Sequence, residues 1–119
     1  MIKMILLLKR RPDLSVAEFQ SYYEKHHAWL GRKYFQGIAC RYIRRYTSPP
    51  PGTPDAVPDF DVITEVWFED EAAYAKSRER LSAPGAMDEI VADEKRLFGG
   101  ERLRLIVHEE HESPMSCDD

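Results

Sequence analysis

Apolar residues fill nearly every position from Ile2 to Leu8, Lys3 excepted, the pattern of a strand covered on both faces. Ser15 followed by Glu18 is a capping box, so a helix is predicted to start at Val16. Val16, Phe19, Tyr23, His26 or His27, and Leu30 recur at helical spacing, with Glu18, Gln20, Glu24 and Lys25 mostly opposite. Gly31 and Gly37 are predicted to bracket the helix end and its turn. From Ala39 to Thr47, Arg41, Ile43 and Arg45 alternate with Cys40, Tyr42, Arg44 and Tyr46, a second strand. Ser48 to Pro58 holds five prolines and a glycine, which forbid regular pairing; a loop of that length is either disordered or a lid.

Asp61 to Phe68 alternates again, Val62, Thr64, Val66 and Phe68 against Asp61, Ile63, Glu65 and Trp67, predicting a third strand. Helices are expected over Glu69 to Leu81 and Ala86 to Phe98, separated by Pro84-Gly85 and stopped by Gly99-Gly100. A fourth strand is expected over Arg102 to His108. The order strand, helix, strand, strand, helices, strand fits an α+β fold, the ferredoxin-like split βαβ arrangement, with a four-stranded antiparallel sheet and helices on one face. One domain over 1–110 accounts for this pattern, and the acidic remainder, 111–119, is expected to be a disordered tail. The other sheet face would then be apolar and open to water, so a homodimer packed sheet against sheet is predicted.

Length and composition narrow the function classes. A chain of 119 residues is one domain, too small for a cofactor domain plus a substrate domain. A net charge of −4 gives no electrostatic case for nucleic acid or an anionic membrane. The apolar start is under half a membrane span and has no cleavage site, so it reads as a buried strand and not as a signal peptide. Cys40 and Cys117 stand in no metal or redox spacing and are expected to be free thiols of a cytoplasmic protein. Glycine-rich phosphate loops, serine-hydrolase elbows and cysteine clusters are absent from the sequence.

Lys9-Arg10-Arg11-Pro12-Asp13-Leu14-Ser15, followed by Phe19, Tyr22-Tyr23, His27 and Leu30, resembles the start of EthD-domain proteins of the dimeric α+β barrel superfamily. Asp61-Val62, Glu65 and Trp67-Phe68 resemble that family's third strand, and Asp93-Glu94 with Phe98 its last helix. Together these cover most of the chain outside the proline loop and tail. The resemblance implies a ferredoxin-like protomer, a dimer whose two sheets form a barrel, and a pocket between sheet and helices in each protomer. Relatives include cofactor-independent monooxygenases, polyketide cyclases and dehydratases, and lactone isomerases, so it narrows fold better than reaction.

His27 resembles the family's helix histidine; here it stands in His27-Ala28-Trp29-Leu30, where proline is more usual than Trp29. Four residues after Tyr23 and eight after Phe19, it is predicted at the helix's inner edge. An imidazole can take and give a proton near neutral pH, as enolisation, cyclisation and dehydration require; the structural alternative is a core histidine bonded to a carbonyl or to Tyr23. Glu65 is the second catalytic candidate, expected to have a raised pKa beside Ile63 and Trp67, its alternative being an ion pair with Arg41 or Arg45. Tyr23 is the third, and Tyr42, Trp67, Arg41 and Phe19 are candidates for substrate binding, although aromatics at these spacings also pack cores. His108 and His111 are three apart at a strand end with no clear third ligand, a weak metal pattern, so no metal and no cofactor are expected.

The expectation is therefore a cofactor-independent acid–base enzyme, a cyclase, dehydratase or isomerase acting on a small hydrophobic, aromatic or polyketide-like molecule. His27 would transfer the proton, Glu65 or a tyrosine would orient, and the loop from Pro49 to Pro58 would cover the mouth. A cofactor-independent monooxygenase of a phenolic substrate and a non-catalytic binding module for a small ligand are the alternatives.

Overall fold

In a computed structural model of the chain, which describes residues 1–100 and 102–118, the apolar first strand takes a central place in the sheet. Strands β1 (Ile2–Leu8), β2 (Arg41–Tyr46), β3 (Val62–Phe68) and β4 (Leu103–Ile106) pair antiparallel in the order β2-β3-β1-β4. Helices α1 (Val16–Tyr22), α2 (Ala28–Phe35), α3 (Glu71–Leu81) and α4 (Ala86–Leu97) complete the α+β, ferredoxin-like architecture that the sequence pattern predicts.

Alternation along the strands decides which residues face the helices. Val62, Thr64, Val66 and Phe68 of β3 are buried, and their partners Leu8, Leu6, Met4 and Ile2 of β1 share that inner face. Tyr42, Arg44 and Tyr46 extend it across β2. The outer face carries Lys3, Ile5 and Leu7 of β1, Ile43 of β2, Ile63, Glu65 and Trp67 of β3, and Leu103 and Leu105 of β4. Leu103 and Leu105 are well exposed, so an apolar sheet face looks outward.

The capping box forms as the sequence predicts: the Glu18 N–H donates to Ser15 Oγ at 3.0 Å, and the Ser15 N–H to Glu18 Oε1 at 3.0 Å. The helix does not stop at Gly31; it runs on to Phe35. What Gly31 supplies is room, because a Cβ there would lie 2.6 Å from Cζ of Tyr42. Between α1 and α2, residues Tyr23–His27 form one π-helical turn, in which the Ala28 N–H reaches back to the Tyr23 carbonyl. That extra residue lets Phe19, Tyr23 and Ala28 all enter the core and leaves His27 at its edge.

Other boundaries shift for local reasons. Helix α3 begins at Glu71 and not at Glu69, because the Asp70 carboxylate accepts the Ala73 N–H at 2.8 Å and so becomes the cap. Asp61 stays outside β3; its carboxylate accepts the Arg10 N–H at 2.8 Å and its own N–H donates to the Leu8 carbonyl at 2.9 Å. Strand β4 spans Leu103–Ile106 and is shorter than predicted at both ends. Residues 107–118 run on without helix or strand, exposed from His108 onward and tied to β1 by the Val107 N–H on the Lys3 carbonyl and by a 2.7 Å Lys3–Glu110 ion pair. Asp119, the last residue of the expected tail, lies outside the described residues.

Candidate functional site

Between the inner sheet face and the helices lies a cavity of about 540 Å³. Its floor is Met4, Leu6 and Leu8 of β1 with Thr64 and Val66 of β3, and His27, Tyr34 and Phe98 are among the side chains that close over it. The lining is mostly aliphatic and aromatic, the composition of sites that hold small hydrophobic molecules.

His27 supplies the basic atom. Its Nδ1 lies 2.9 Å from Oδ2 of Asp93 on α4, a residue only 4% exposed. The other carboxylate oxygen accepts the Tyr22 hydroxyl at 2.5 Å, and Arg96 Nη1 stands 3.8 Å from it. A carboxylate can only accept, so the Nδ1 facing it carries a proton. Neutral His27 then has its lone pair on Nε2. Among the described residues Nε2 has no hydrogen-bond partner, and no buried side-chain nitrogen or oxygen is unpartnered, so Nε2 is open. His27 is one of the residues that line the cavity.

Burial lowers the His27 pKa below the ordinary 6.5; the bond and charge of Asp93 work the other way, and Arg102 adds to the lowering. The imidazole is therefore neutral at pH 7, a base with its partner already in place for the protonated state. Tyr23 and Phe98 hold the ring edge-on, with centroids at 5.1 and 5.4 Å.

Sequence-predicted residues divide between the two sheet faces. Tyr23 and Tyr42 join His27 at the cavity. Tyr23 is 1% exposed with its hydroxyl 2.6 Å from Thr64 Oγ1, and burial pushes its phenol well above the usual pKa. Tyr42 is likewise raised by burial. Phe19 does not reach the cavity; it is core, packed edge-on against Tyr23 and Phe98.

Glu65, Trp67 and Arg41 lie on the outer face, across the sheet from His27, because β3 and β2 alternate with period two. Instead of the expected raised pKa, Glu65 is held below the ordinary carboxylate value, first by its 2.7 Å bond from Arg45 and also by the Trp67 Nε1 at 3.0 Å. Lys3 and Arg41 flank the Trp67 ring at 4.1 and 4.6 Å. These residues form an outer polar cluster away from His27. The loop from Pro49 to Pro58 contributes no lining residue, so it does not cover this cavity within one chain.

The acid that orients His27 is thus Asp93, a role the sequence reading did not assign. Its signal was available: Asp93 stands three after Ile90 and four before Leu97, on the buried stripe of α4 where a carboxylate needs a partner. No three His, Cys, Asp or Glu side chains among the described residues are grouped to hold a metal ion; His111 pairs with Glu109. Both cysteines are exposed and unpaired. No helix of the described residues is long and apolar enough to cross a membrane.

The family profile of the EthD domain matches residues 11–101. The chain belongs to the EthD-domain family. Among solved structures it is similar to an EthD family protein from Bacillus halodurans, with 18% identity, TM-score 0.65, and coverage of 92% of this chain and 99% of that one. It is also similar to a mutant form of SnoaB, a cofactor-independent oxygenase from Streptomyces nogalater, at 16% identity and TM-score 0.57 over 96% and 97% of the two chains. A dimeric ferredoxin-like protein of unknown function from Thermobifida fusca matches at 13% identity and TM-score 0.54, over 89% and 88%. No curated protein matches this EthD-domain chain.

Proposed function

We propose that this EthD-domain protein is a cofactor-independent acid–base enzyme acting on a small hydrophobic, aromatic or polyketide-like molecule. The observation that carries the reading is the His27–Asp93 pair, with Nδ1 fixed at 2.9 Å and Nε2 unpartnered among the described residues, on a side chain that lines an apolar cavity. Nε2 removes a proton from an acidic C–H or phenolic O–H of the bound molecule. The imidazolium that forms is stabilised by Asp93, and the same proton returns to carbon or oxygen, or leaves with a departing hydroxyl as water. Tyr22 acts through Asp93 as a positioning residue. Isomerisation, cyclisation and dehydration all follow from this one transfer.

Likeness to SnoaB supports a second reading, in which the carbanion formed at His27 reduces O₂ directly. A methylene then becomes a carbonyl with one oxygen atom, and the other leaves as water. The exposed apolar outer face and the dimeric neighbour support a homodimer packed sheet on sheet.

The proton-transfer reading is tested with 2-tetralone in D₂O, following loss of its enolisable protons by NMR. Wild-type protein should accelerate exchange above buffer, and His27→Gln should remove the acceleration. Exchange equal to buffer with the folded wild-type protein would overturn the reading. An oxygen electrode on the same sample separates oxygenation from simple enolisation.

A further inference from the structure

Charge in the cavity is one-sided. The ionisable side chains with a full charge at its lining are Arg78 on α3, Glu94 on α4, and Arg102 and Arg104 at β4. Arg102 is ion-paired with Glu94, which leaves Arg78 and Arg104 as uncompensated positive charge in a chain whose net charge is −4. Among the described residues neither guanidinium makes an ion pair or a side-chain hydrogen bond; Arg10, Arg11, Arg44, Arg45 and Arg96 sit against acids, and Arg32, Arg41 and Arg80, which also lack an ion pair, lie outside the cavity lining. Carboxylates are plentiful in this chain, and two arginines at one cavity nevertheless lack one.

The sheet also sets the position of Arg104 relative to the base, while Arg78 reaches the cavity from α3. Thr64, Leu6 and Arg104 form one cross-strand row on the inner face. Thr64 holds the hydroxyl of Tyr23, whose ring packs on His27. With neighbouring strands about 5 Å apart, the Arg104 backbone stands about 10 Å from that of Thr64. One medium-sized molecule on the apolar floor can therefore meet the imidazole at one end and a guanidinium at the other.

We infer that the molecule bound beside His27 carries a carboxylate on its apolar body, and that Arg78 and Arg104 are the specificity-determining residues that receive it. The inference rests on the acid–base reading of the cavity and names its substrate class. A guanidinium presents a planar fork that matches a carboxylate with two parallel N–H···O bonds, which orients the ligand as well as attracting it. Arg78 and Arg104 touch the charged end and leave the proton transfer to His27.

The probes are 1-hydroxy-2-naphthoate and 1-naphthol, with affinities measured by titration calorimetry on the full-length protein. The naphthoate should bind about tenfold more tightly, a charge-assisted hydrogen bond at a partly open site. Arg78→Ala and Arg104→Ala should each remove most of that preference and leave 1-naphthol within about twofold, as expected for side chains that make no ionic contact of their own. Added salt should weaken the naphthoate alone. Equal affinity for the two probes, or equal losses for both in the arginine variants, would overturn the carboxylate assignment while leaving the tetralone exchange at His27 intact. Failure of both probes to bind would sink the cavity as a ligand site, and the carboxylate inference with it.

Discussion

Asp93→Asn is the substitution that bears most directly on the site. In the wild type, one carboxylate oxygen accepts from His27 Nδ1 at 2.9 Å and the other from the Tyr22 hydroxyl at 2.5 Å, with Arg96 on the Tyr22 side. An asparagine keeps the shape but must present one oxygen and one NH₂. The Arg96 cation and the Tyr22 O–H both favour the oxygen on their side, which turns the NH₂ toward Nδ1. Nδ1 must then accept, so the neutral ring carries its proton on Nε2 and the base facing the cavity is lost.

Hydrogen bonds to charged groups are worth about 1.5–3 kcal/mol. Loss of the bond that stabilises the imidazolium should therefore slow a step in which His27 is the base by about ten- to a hundredfold. His27 should also become harder to protonate, since Asp93 is the group that opposes the lowering caused by burial. Two-dimensional ¹H–¹⁵N NMR of the histidine ring, followed against pH, reads both effects. The expected result is a switch of the protonated nitrogen from Nδ1 to Nε2 and a titration displaced to lower pH. An unchanged tautomer and midpoint in the folded variant would refute the argument. Glu65→Gln is the control, and because it lies on the opposite sheet face it should leave the His27 signals unmoved.

Stability should depend on pH through the same histidine. Its folded pKa lies below the unfolded 6.5, so the unfolded chain binds more protons in the interval between them, and stability present above pH 6.5 is lost as pH falls through the folded value. Urea denaturation at stepped pH should show this loss, and His27→Gln should flatten it. Glu24 and Glu65, both held below 4.5 by arginine partners, act in a separate and more acidic window, so a first loss of stability beginning only below pH 4.5 would contradict the His27 assignment. Gly31→Ala places a methyl group 2.6 Å from Cζ of Tyr42 and should cost about 1–3 kcal/mol as the ring is displaced from the cavity wall; an unchanged denaturation midpoint would mean that Tyr42 moves aside freely.

Where the helices and strands lie, and which side of each is buried, is written in local chemistry. Ser15 and Glu18 make the cap, period-two alternation in β3 sorts Val62, Thr64, Val66 and Phe68 from Ile63, Glu65 and Trp67, and the apolar run of β1 marks its central position. Those signals depend on neighbours a few residues apart, and a linear pattern holds that information. Alternation also separates Glu65 from the helix-facing residues, but it does not say on which face the helices pack, and so the sequence alone admits Glu65 as a partner for His27. Only the tertiary structure decides that. It places α4 so that Asp93, sixty-six positions from His27, meets its Nδ1, and it inserts the π-helical turn that keeps His27 at the cavity edge while Tyr23 stays anchored on Thr64. Both depend on how elements distant in sequence approach in space, a sum of many small packing energies that no local spacing records.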